Sequence, residues 1–235
     1  VATLSHAHFL DLDQFTPEMI VDNMLASQEW MRTVHQKNPT AKWPIFIWNH
    51  LPPSGASIVH PHVQALVREM STAMQEQLLA RSKVYFAKKG HSFWQELVET
   101  ERELGQRYIG HNDSLSVIAG FAPRGFREIH FIFDDTSSFT HLDENQIRDF
   151  ADAIIKVLRG YKSMGVGSFN LNVFSGPIDE NSEHYLLNAK MISRPFPQGV
   201  YSSDTGPFER LQDEWVIEFL PEDVAQRMRA VWACS

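Results

Sequence analysis

Residues 43–64 read WPIFIWNHLPPSGASIVHPHVQ, and the interpretation of the whole chain starts from this stretch. Trp43 to Trp48 is a short aromatic and β-branched run, which predicts a strand. Asn49 to Val59 contains two prolines, a glycine and two serines, which predicts a loop. From His60 to Leu66 the pattern is again extended, because Pro61 disfavours helical geometry at His60. We therefore expect a strand, a loop and a second strand.

A similar order of elements recurs about 127 residues later. The strand and loop follow a predicted helix, Pro17 to His35, with Thr16 as N-cap. Phe15–Ile20 matches Leu142–Ile147, which opens a second predicted helix, Asp143 to Tyr161. The shift also brings the two strands of the first copy onto residues 169–174 and 188–192. Helix, strand, loop and strand thus occur twice, although such an order also arises by chance.

The remaining pattern predicts three further helices, over residues 68–79, 93–104 and 221–232. It also predicts strands over residues 114–119, 128–133, 169–174 and 184–192. Two of these strands precede the helix of the second copy, whereas the first copy has only Val1 to Leu12 at that point. We therefore expect an α+β fold of two related units, the first without its opening strands. The predicted units are residues 1–82 and 113–235, joined by a connecting helix within 83–112, and the second unit ends in a loop and a helix.

Composition excludes several classes of protein. Hydrophobic residues make up 43% of the 235-residue chain and charged residues 21%, which is ordinary for a soluble globular protein. The net charge of −8 argues against a nucleic-acid binder, and no apolar run is long enough to span a membrane. The only cysteine is Cys234, so neither an internal disulfide nor a cysteine-rich zinc site can form. This usage favours a cytoplasmic protein.

The segment from Asn49 to Gln64 carries the candidate chemistry. Alternate side chains of a strand share a face, so His60, His62 and Gln64 are expected to point the same way. The small-residue loop around Gly55 and Ser57 lets backbone N–H groups approach an anion closely. A neutral imidazole at His62 could attack phosphorus while its other nitrogen donates to the carbonyl oxygen of His60. This arrangement suits phosphoryl or nucleotidyl transfer, and it requires a ring that a phosphate can reach.

The pattern Asn-x5-Gly-x-Ser-x2-His-Pro-His-x-Gln resembles the active-site signature of the galactose-1-phosphate uridylyltransferase family, in the histidine-triad-like superfamily. The specific part of the resemblance is Asn49 to Gln64, and a weaker similarity extends over most of the chain. It implies two histidine-triad-like units, each an antiparallel sheet with a long helix. It also implies a homodimer, a role in galactose metabolism, and a nucleotide sugar and a hexose 1-phosphate as substrates.

The resemblance assigns roles residue by residue. His62 would be the nucleophile that takes up a nucleoside monophosphate, and Gln64 would hold the transferring phosphate. The substrate-binding residues would be Asn49, Gly55 and Ser57. His60 and His8 would bind a structural zinc ion in the first unit, with His6 as a competitor of His8.

Two departures from the family keep other functions open. The Cys-x2-Cys pair that often completes the zinc site is missing from this sequence. In the second unit, Asn188 and Lys190 stand where the family often has a metal-binding His-x-His pair, so we expect no metal there. The alternatives are a nucleotide-sugar phosphorylase or hydrolase of the same superfamily and a non-catalytic nucleotide-binding homologue.

Overall fold

The computed structural model describes residues 1–196 and 203–233. Residues 197–202, which belong to the predicted C-terminal loop, and residues 234–235 lie outside these ranges. The strands are β1 (Ala2–Thr3), β2 (Trp43–His50), β3 (His62–Arg68), β4 (Tyr108–His111), β5 (Leu115–Ala119), β6 (Phe126–Phe133), β7 (Ser168–Phe174) and β8 (Asn188–Arg194). The α-helices are α1 (Pro17–Lys37), α2 (Ala73–Lys89), α3 (Phe93–Leu104), α4 (Glu144–Ser163) and α5 (Pro221–Trp232).

The strands form a single antiparallel sheet in the order β1-β3-β2-β7-β8-β6-β5-β4. The predicted α+β class with antiparallel pairing and one long helix per unit is confirmed. The two units share this sheet, because β2 of the first is hydrogen-bonded to β7 of the second from Ile45↔Phe174 to His50↔Phe169. The pair β2–β3 of the first unit thus lies beside the pair β7–β8 of the second unit.

The first unit contains only a short counterpart of the opening strands. β1 is two residues long and pairs with the outer side of β3, where β6 pairs with β8 in the second unit. Within the described ranges, the first unit has no strand that corresponds to β5 or β4. The prediction of an incomplete first copy agrees with this arrangement.

One face of the sheet packs on α1, α4 and α5 and forms the main core. Successive side chains of β2 point to opposite faces of the sheet, and Phe46 and Trp48 lie on this face, almost fully buried. The predicted apolar stripe of α4 is buried there too, and it comprises Ile147, Phe150, Ile154 and Leu158. Asp143 caps α4 through a reciprocal hydrogen-bonded pair with Gln146, as its sequence favours.

The opposite face is only partly covered. Trp94 and Val98 of α3 pack on Ile118 and Ile132, at the β5–β6 side. Over β3 and β2 the side chains of this face, such as Ile47 and Gln64, stay partly exposed. We refer to this surface as the open face, and the candidate site lies on it.

Three predicted elements differ from the structure. The helix predicted over 68–79 begins only at Ala73, because Arg68 still pairs with Trp43 at the end of β3. Two strands start later than predicted, β3 at His62 rather than His60 and β8 at Asn188 rather than His184. β4 was not predicted. α2 extends across residue 82, the predicted end of the first unit, and the segment 83–112 contains α3 and β4.

No helix in residues 1–196 and 203–233 has the length and apolar character that crossing a membrane requires.

Candidate functional site

The loop between β2 and β3 has a strained entry and a tight turn. Leu51 has φ 68° and ψ 161°, a conformation that is rare for a residue with a side chain. The turn Pro52–Ser54 follows, and Ser54 donates from its backbone N–H (3.0 Å) and its hydroxyl (2.7 Å) to the Leu51 carbonyl oxygen. Gly55 ends the turn at φ 87°, where a glycine is favoured. Gly55 and Ser57 are exposed, so their polar groups can meet a ligand.

His62 is the first residue of β3, and its ring has a defined orientation. The Nδ1–H group donates to the carbonyl oxygen of His60 at 2.8 Å, which is the contact predicted from the sequence. With the proton on Nδ1, the lone pair is on Nε2. The residue is only 4% exposed, so the ring is closely packed. Nε2 has no hydrogen-bond partner in the described part of the chain, and it is not fully buried.

Gln64 and His62 point to the open face of β3, since the intervening Val63 belongs to the main core. Gln64 is half-buried and lies opposite Ile47 of β2. Its side-chain amide makes no hydrogen bond within the ranges that the structure describes, so the donor is available. His60 precedes β3, so strand alternation places only His62 and Gln64 on a shared face.

Asn49, the last predicted substrate-binding residue, is held by the second unit. Asn170 of β7 donates from Nδ2 to the side-chain oxygen of Asn49 (2.6 Å) and to the carbonyl oxygen of Ser54 (2.8 Å). Arg194 of β8 donates to the Asn170 side-chain oxygen at 3.0 Å and is fixed by two hydrogen bonds to Asp204, at 2.5 and 2.7 Å. The loop is therefore fixed by a polar network that crosses three strands.

Sequence reasoning missed Asn170 and Arg194. A signal was present in β7, where Phe169 to Val173 alternates aromatic or aliphatic residues with two asparagines. Such alternation places both asparagines on the face opposite to the core. What the sequence did not provide was the pairing of β7 with β2, which brings Asn170 opposite Asn49.

The predicted zinc ligands His8 and His60 lie close together, with ring centroids 5.0 Å apart. The Nε2–H group of His60 donates to the carbonyl oxygen of Ser5 at 2.7 Å, which leaves Nδ1 for a metal, as in many zinc sites. A structural zinc takes four ligands, however, and the described residues contain no group of three or more histidine, cysteine, aspartate or glutamate side chains suited to a metal. His8 and His60 fit half of a zinc site, and zinc binding stays a prediction.

In the second unit, the residues at the positions of His60 and His62 have other partners. Asn188 is buried and donates to the Tyr185 hydroxyl (2.9 Å) and the Leu186 carbonyl oxygen (3.0 Å). The Lys190 ammonium forms an ion pair with the buried carboxylate of Glu128 at 3.3 Å. Neither environment resembles that of the His62 ring.

No model of a known protein family matches the chain. A protein of Archaeoglobus fulgidus, described as uncharacterised, is 31% identical over 236 residues, and the match covers 99% of this chain and 68% of that protein. Among solved structures, a uridylyltransferase has a TM-score of 0.87 at 20% identity and is matched over 99% of this chain and 74% of its own. An ADP-glucose phosphorylase from Arabidopsis thaliana has a TM-score of 0.80 at 22% identity, over 97% of this chain and 71% of its own.

The fold is therefore that of the uridylyltransferase and ADP-glucose phosphorylase structures, of the histidine-triad-like kind that the sequence predicted. At the level of sequence, the chain belongs to the same protein family as the Archaeoglobus fulgidus protein.

Proposed function

We propose that the chain is a nucleotidyltransferase that moves a nucleoside monophosphate from a nucleotide sugar to a hexose 1-phosphate through a covalent intermediate on His62. One observation carries this proposal: the Nδ1–H group of His62 donates to the His60 carbonyl oxygen at 2.8 Å and leaves the Nε2 lone pair unused. A nucleophilic histidine needs this tautomer. The similarity of the fold to a uridylyltransferase adds support.

The first half-reaction follows from this tautomer. The Nε2 lone pair attacks the α-phosphorus, and the bond from that phosphorus to the bridging oxygen breaks. The electron pair leaves with the oxygen of the departing hexose 1-phosphate. The ring becomes positively charged, and the carbonyl oxygen of His60 stabilises its Nδ1–H group. In the second half-reaction, a phosphate oxygen of the incoming hexose 1-phosphate attacks phosphorus, and the bonding pair returns to Nε2.

Neutral donors would meet the charge that develops on the phosphate. Gln64 would donate to a non-bridging oxygen, and the Ser57 hydroxyl and the backbone around Gly55 would contact the same group. Asn49 would act by holding the loop, because its side-chain oxygen already accepts from Asn170. A site built on fixed dipoles agrees with a chain of net charge −8, which has no surplus of cations.

A phosphorylase is the second candidate, because one of the similar structures is an ADP-glucose phosphorylase. The two activities share the intermediate on His62 and differ in the acceptor. Inorganic phosphate would then attack the nucleotidylated histidine in place of hexose 1-phosphate.

The intermediate can be trapped directly. The protein is incubated with UDP-glucose or ADP-glucose labelled in the α-phosphate and quenched in alkali, in which a phosphoramidate survives. We expect protein-bound label that acid removes, and its loss in His62→Ala. His111→Ala, an exposed histidine of the far edge strand β4, is the matched control and should label normally. Release of the label by hexose 1-phosphate or by phosphate then separates transferase from phosphorylase. Absence of label with every nucleotide sugar tested would argue for a nucleotide-binding protein without turnover.

We also propose a homodimer and a zinc ion in the first unit, both from the family resemblance. Light scattering tests the first. Zinc content of the protein, compared with that of His8→Ala and His60→Ala variants, tests the second.

A further inference from the structure

A cavity of about 240 Å³ opens on the open face of the sheet, over β7 and β8. Its apolar walls are Met74 and Leu78 of α2, with Phe174 and Ile192 of the sheet. Asn172, Lys190, Glu128 and Arg124 supply most of its polar surface. The proposed reaction at His62 does not use these residues.

Strand register connects the cavity to the proposed nucleophile. The strand registers place one residue from each of five consecutive strands in a single row across the open face. From β3 to β6 this row is Gln64, Ile47, Asn172, Lys190 and His130. Neighbouring strands are about 4.8 Å apart, which puts the start of the cavity, at β7, two strand spacings, or about 10 Å, from β3. Asn170, which holds the loop between β2 and β3, also lines the cavity. A ligand that begins at His62 and follows the row therefore enters the cavity.

The polar groups of the cavity have free hydrogen-bond donors and acceptors, which suit a ligand with hydroxyl groups. The side chain of Asn172 makes no hydrogen bond among the residues that the structure describes, so it offers both a donor and an acceptor. The Lys190 ammonium uses one contact, to Glu128 at 3.3 Å, and its other N–H donors remain. A sugar hydroxyl both donates and accepts, which matches this mixture. The ring of Phe174 provides an apolar surface for the C–H side of a sugar.

Glu128 fixes Lys190 and keeps the cavity close to neutral. Burial would raise the pKa of Glu128, but the hydrogen bond from His130, the charge of Lys190 and the backbone N–H of Arg124 lower it to about 2. Burial lowers the pKa of His130, so its neutral ring donates to the carboxylate at 2.5 Å. The anionic Glu128 thus balances the cationic Lys190, and Arg124, the other cation of the lining, is paired with Asp213. An uncharged polar group therefore suits the site better than a second anion.

We propose that this cavity binds the hexose ring of the sugar phosphate that the reaction releases and consumes, with Asn172 and Lys190 contacting its hydroxyl groups. The assignment rests on the proposed function for the identity of the ligand. The 1-phosphate of the sugar lies toward His62 and its ring toward Glu128. The volume is below the ~300–1,000 Å³ of pockets for drug-sized ligands, which favours a single sugar ring over a nucleoside.

Calorimetric titration tests the assignment without turnover. The unmodified protein is titrated separately with glucose 1-phosphate, galactose 1-phosphate, UMP and AMP, and then the variants Asn172→Ala and Lys190→Met are titrated. We expect each variant to bind at least one hexose 1-phosphate about tenfold more weakly and to bind UMP and AMP within about twofold of the unmodified protein. Lys37→Met, an exposed lysine at the end of α1, is the control for removal of a positive charge.

Asn172→Ala keeps the test decisive if Lys190→Met unfolds, since Asn172 has no protein partner to lose in the described structure. The assignment is overturned if the unmodified protein binds neither hexose 1-phosphate. It is equally overturned if Asn172→Ala leaves hexose 1-phosphate binding unchanged, or weakens UMP or AMP binding instead. Failure of the proposed function is separate: it would show as an absence of nucleotidylated His62, whatever the titrations give.

Discussion

The side-chain amide of Asn170, in the second unit, lies 2.6 Å from the side-chain oxygen of Asn49, in the first. The same nitrogen donates to the Ser54 carbonyl oxygen, so one side chain fixes the end of β2 and the turn that follows it. The second unit therefore supports the loop of the first, although Lys190 stands where the first unit has His62. Through this contact the second unit helps to shape the site, although it has no counterpart of the proposed nucleophile.

Replacing Asn170 with aspartate tests the support of the loop. Asn170→Asp keeps an oxygen for Arg194 but removes the donor to Asn49 and Ser54, and it brings an anion against two acceptors. We expect the free energy of unfolding to fall by about 1–3 kcal/mol. We also expect nucleotidyl transfer to slow at least tenfold at a temperature where the variant is fully folded. Asn145→Asp, at the exposed start of α4, is the control. A normal rate in a destabilised Asn170→Asp protein would mean that the network serves stability alone.

Gln64→Ala tests the donor beside the proposed nucleophile, His62. If Gln64 holds the transferring phosphate, its truncation removes one preorganised donor, and nucleotidyl transfer should slow by roughly 10²-fold. Because Gln64 is half-buried and has no hydrogen-bond partner in the described structure, the melting temperature should change little. Single-turnover labelling of His62 measures the rate. A normal rate would assign Gln64 to packing.

Local features of the fold could be predicted from the sequence, and features that depend on distant pairing could not. Pro17 at the first turn of α1 and the Asp143–Gln146 cap of α4 are encoded within a few residues, and both were predicted correctly as helix starts. The predicted start of α2 at Arg68 was wrong, because the polar and apolar spacing after Arg68 also fits a helix. Its pairing with Trp43, which keeps it in β3, is not visible in that spacing.

The same distinction applies to the candidate site. The Nδ1 contact of His62 reaches back only two residues, to His60, so Pro61 and the extended pattern were enough to predict it. Asn170 and Asn49 are 121 residues apart in the chain, and their contact exists only because β2 pairs with β7 in one register. β1, next to β3, has only two residues, which is too short for a periodic pattern of apolar and polar residues to predict a strand.

Gly55→Ala tests the role of the tight turn in the loop between β2 and β3. Gly55 has φ +87°, and a Cβ atom there would meet nothing within 4 Å, so the cost is conformational. We expect about 1–2 kcal/mol lower stability. Gly90→Ala is a matched control, because Gly90 has φ +80° and is equally unobstructed but lies between α2 and α3. Both variants should lose similar stability, measured by urea unfolding, and only Gly55→Ala should also slow His62 labelling. Equal labelling rates would argue against a phosphate-binding role for the Gly55 turn.

His50 should make the stability of the protein fall in mild acid. His50 is 1% exposed, and its ring stacks on Phe169 and lies edge-on to Phe15. Neither ring nitrogen has a hydrogen-bond partner in the described structure. Burial lowers the pKa of His50 from 6.5 to about 4, although the nearby Asp11 opposes this shift. Between pH 6.5 and 4 the unfolded chain therefore binds a proton that the folded protein does not, so stability declines as the pH falls through this range.

The size of this effect follows from the shift of the pKa, and His50→Leu tests it. A shift of this size corresponds to about 3 kcal/mol, lost progressively from pH 6.5 down to pH 4. Leucine cannot take up a proton, so the variant should lose less stability over this interval, while carboxylates such as Glu128 contribute equally to both proteins. Urea unfolding at pH 7.5, 6.0 and 4.5 gives the two slopes. Parallel slopes would show that the His50 ring is protonated in the folded protein as readily as in the unfolded chain.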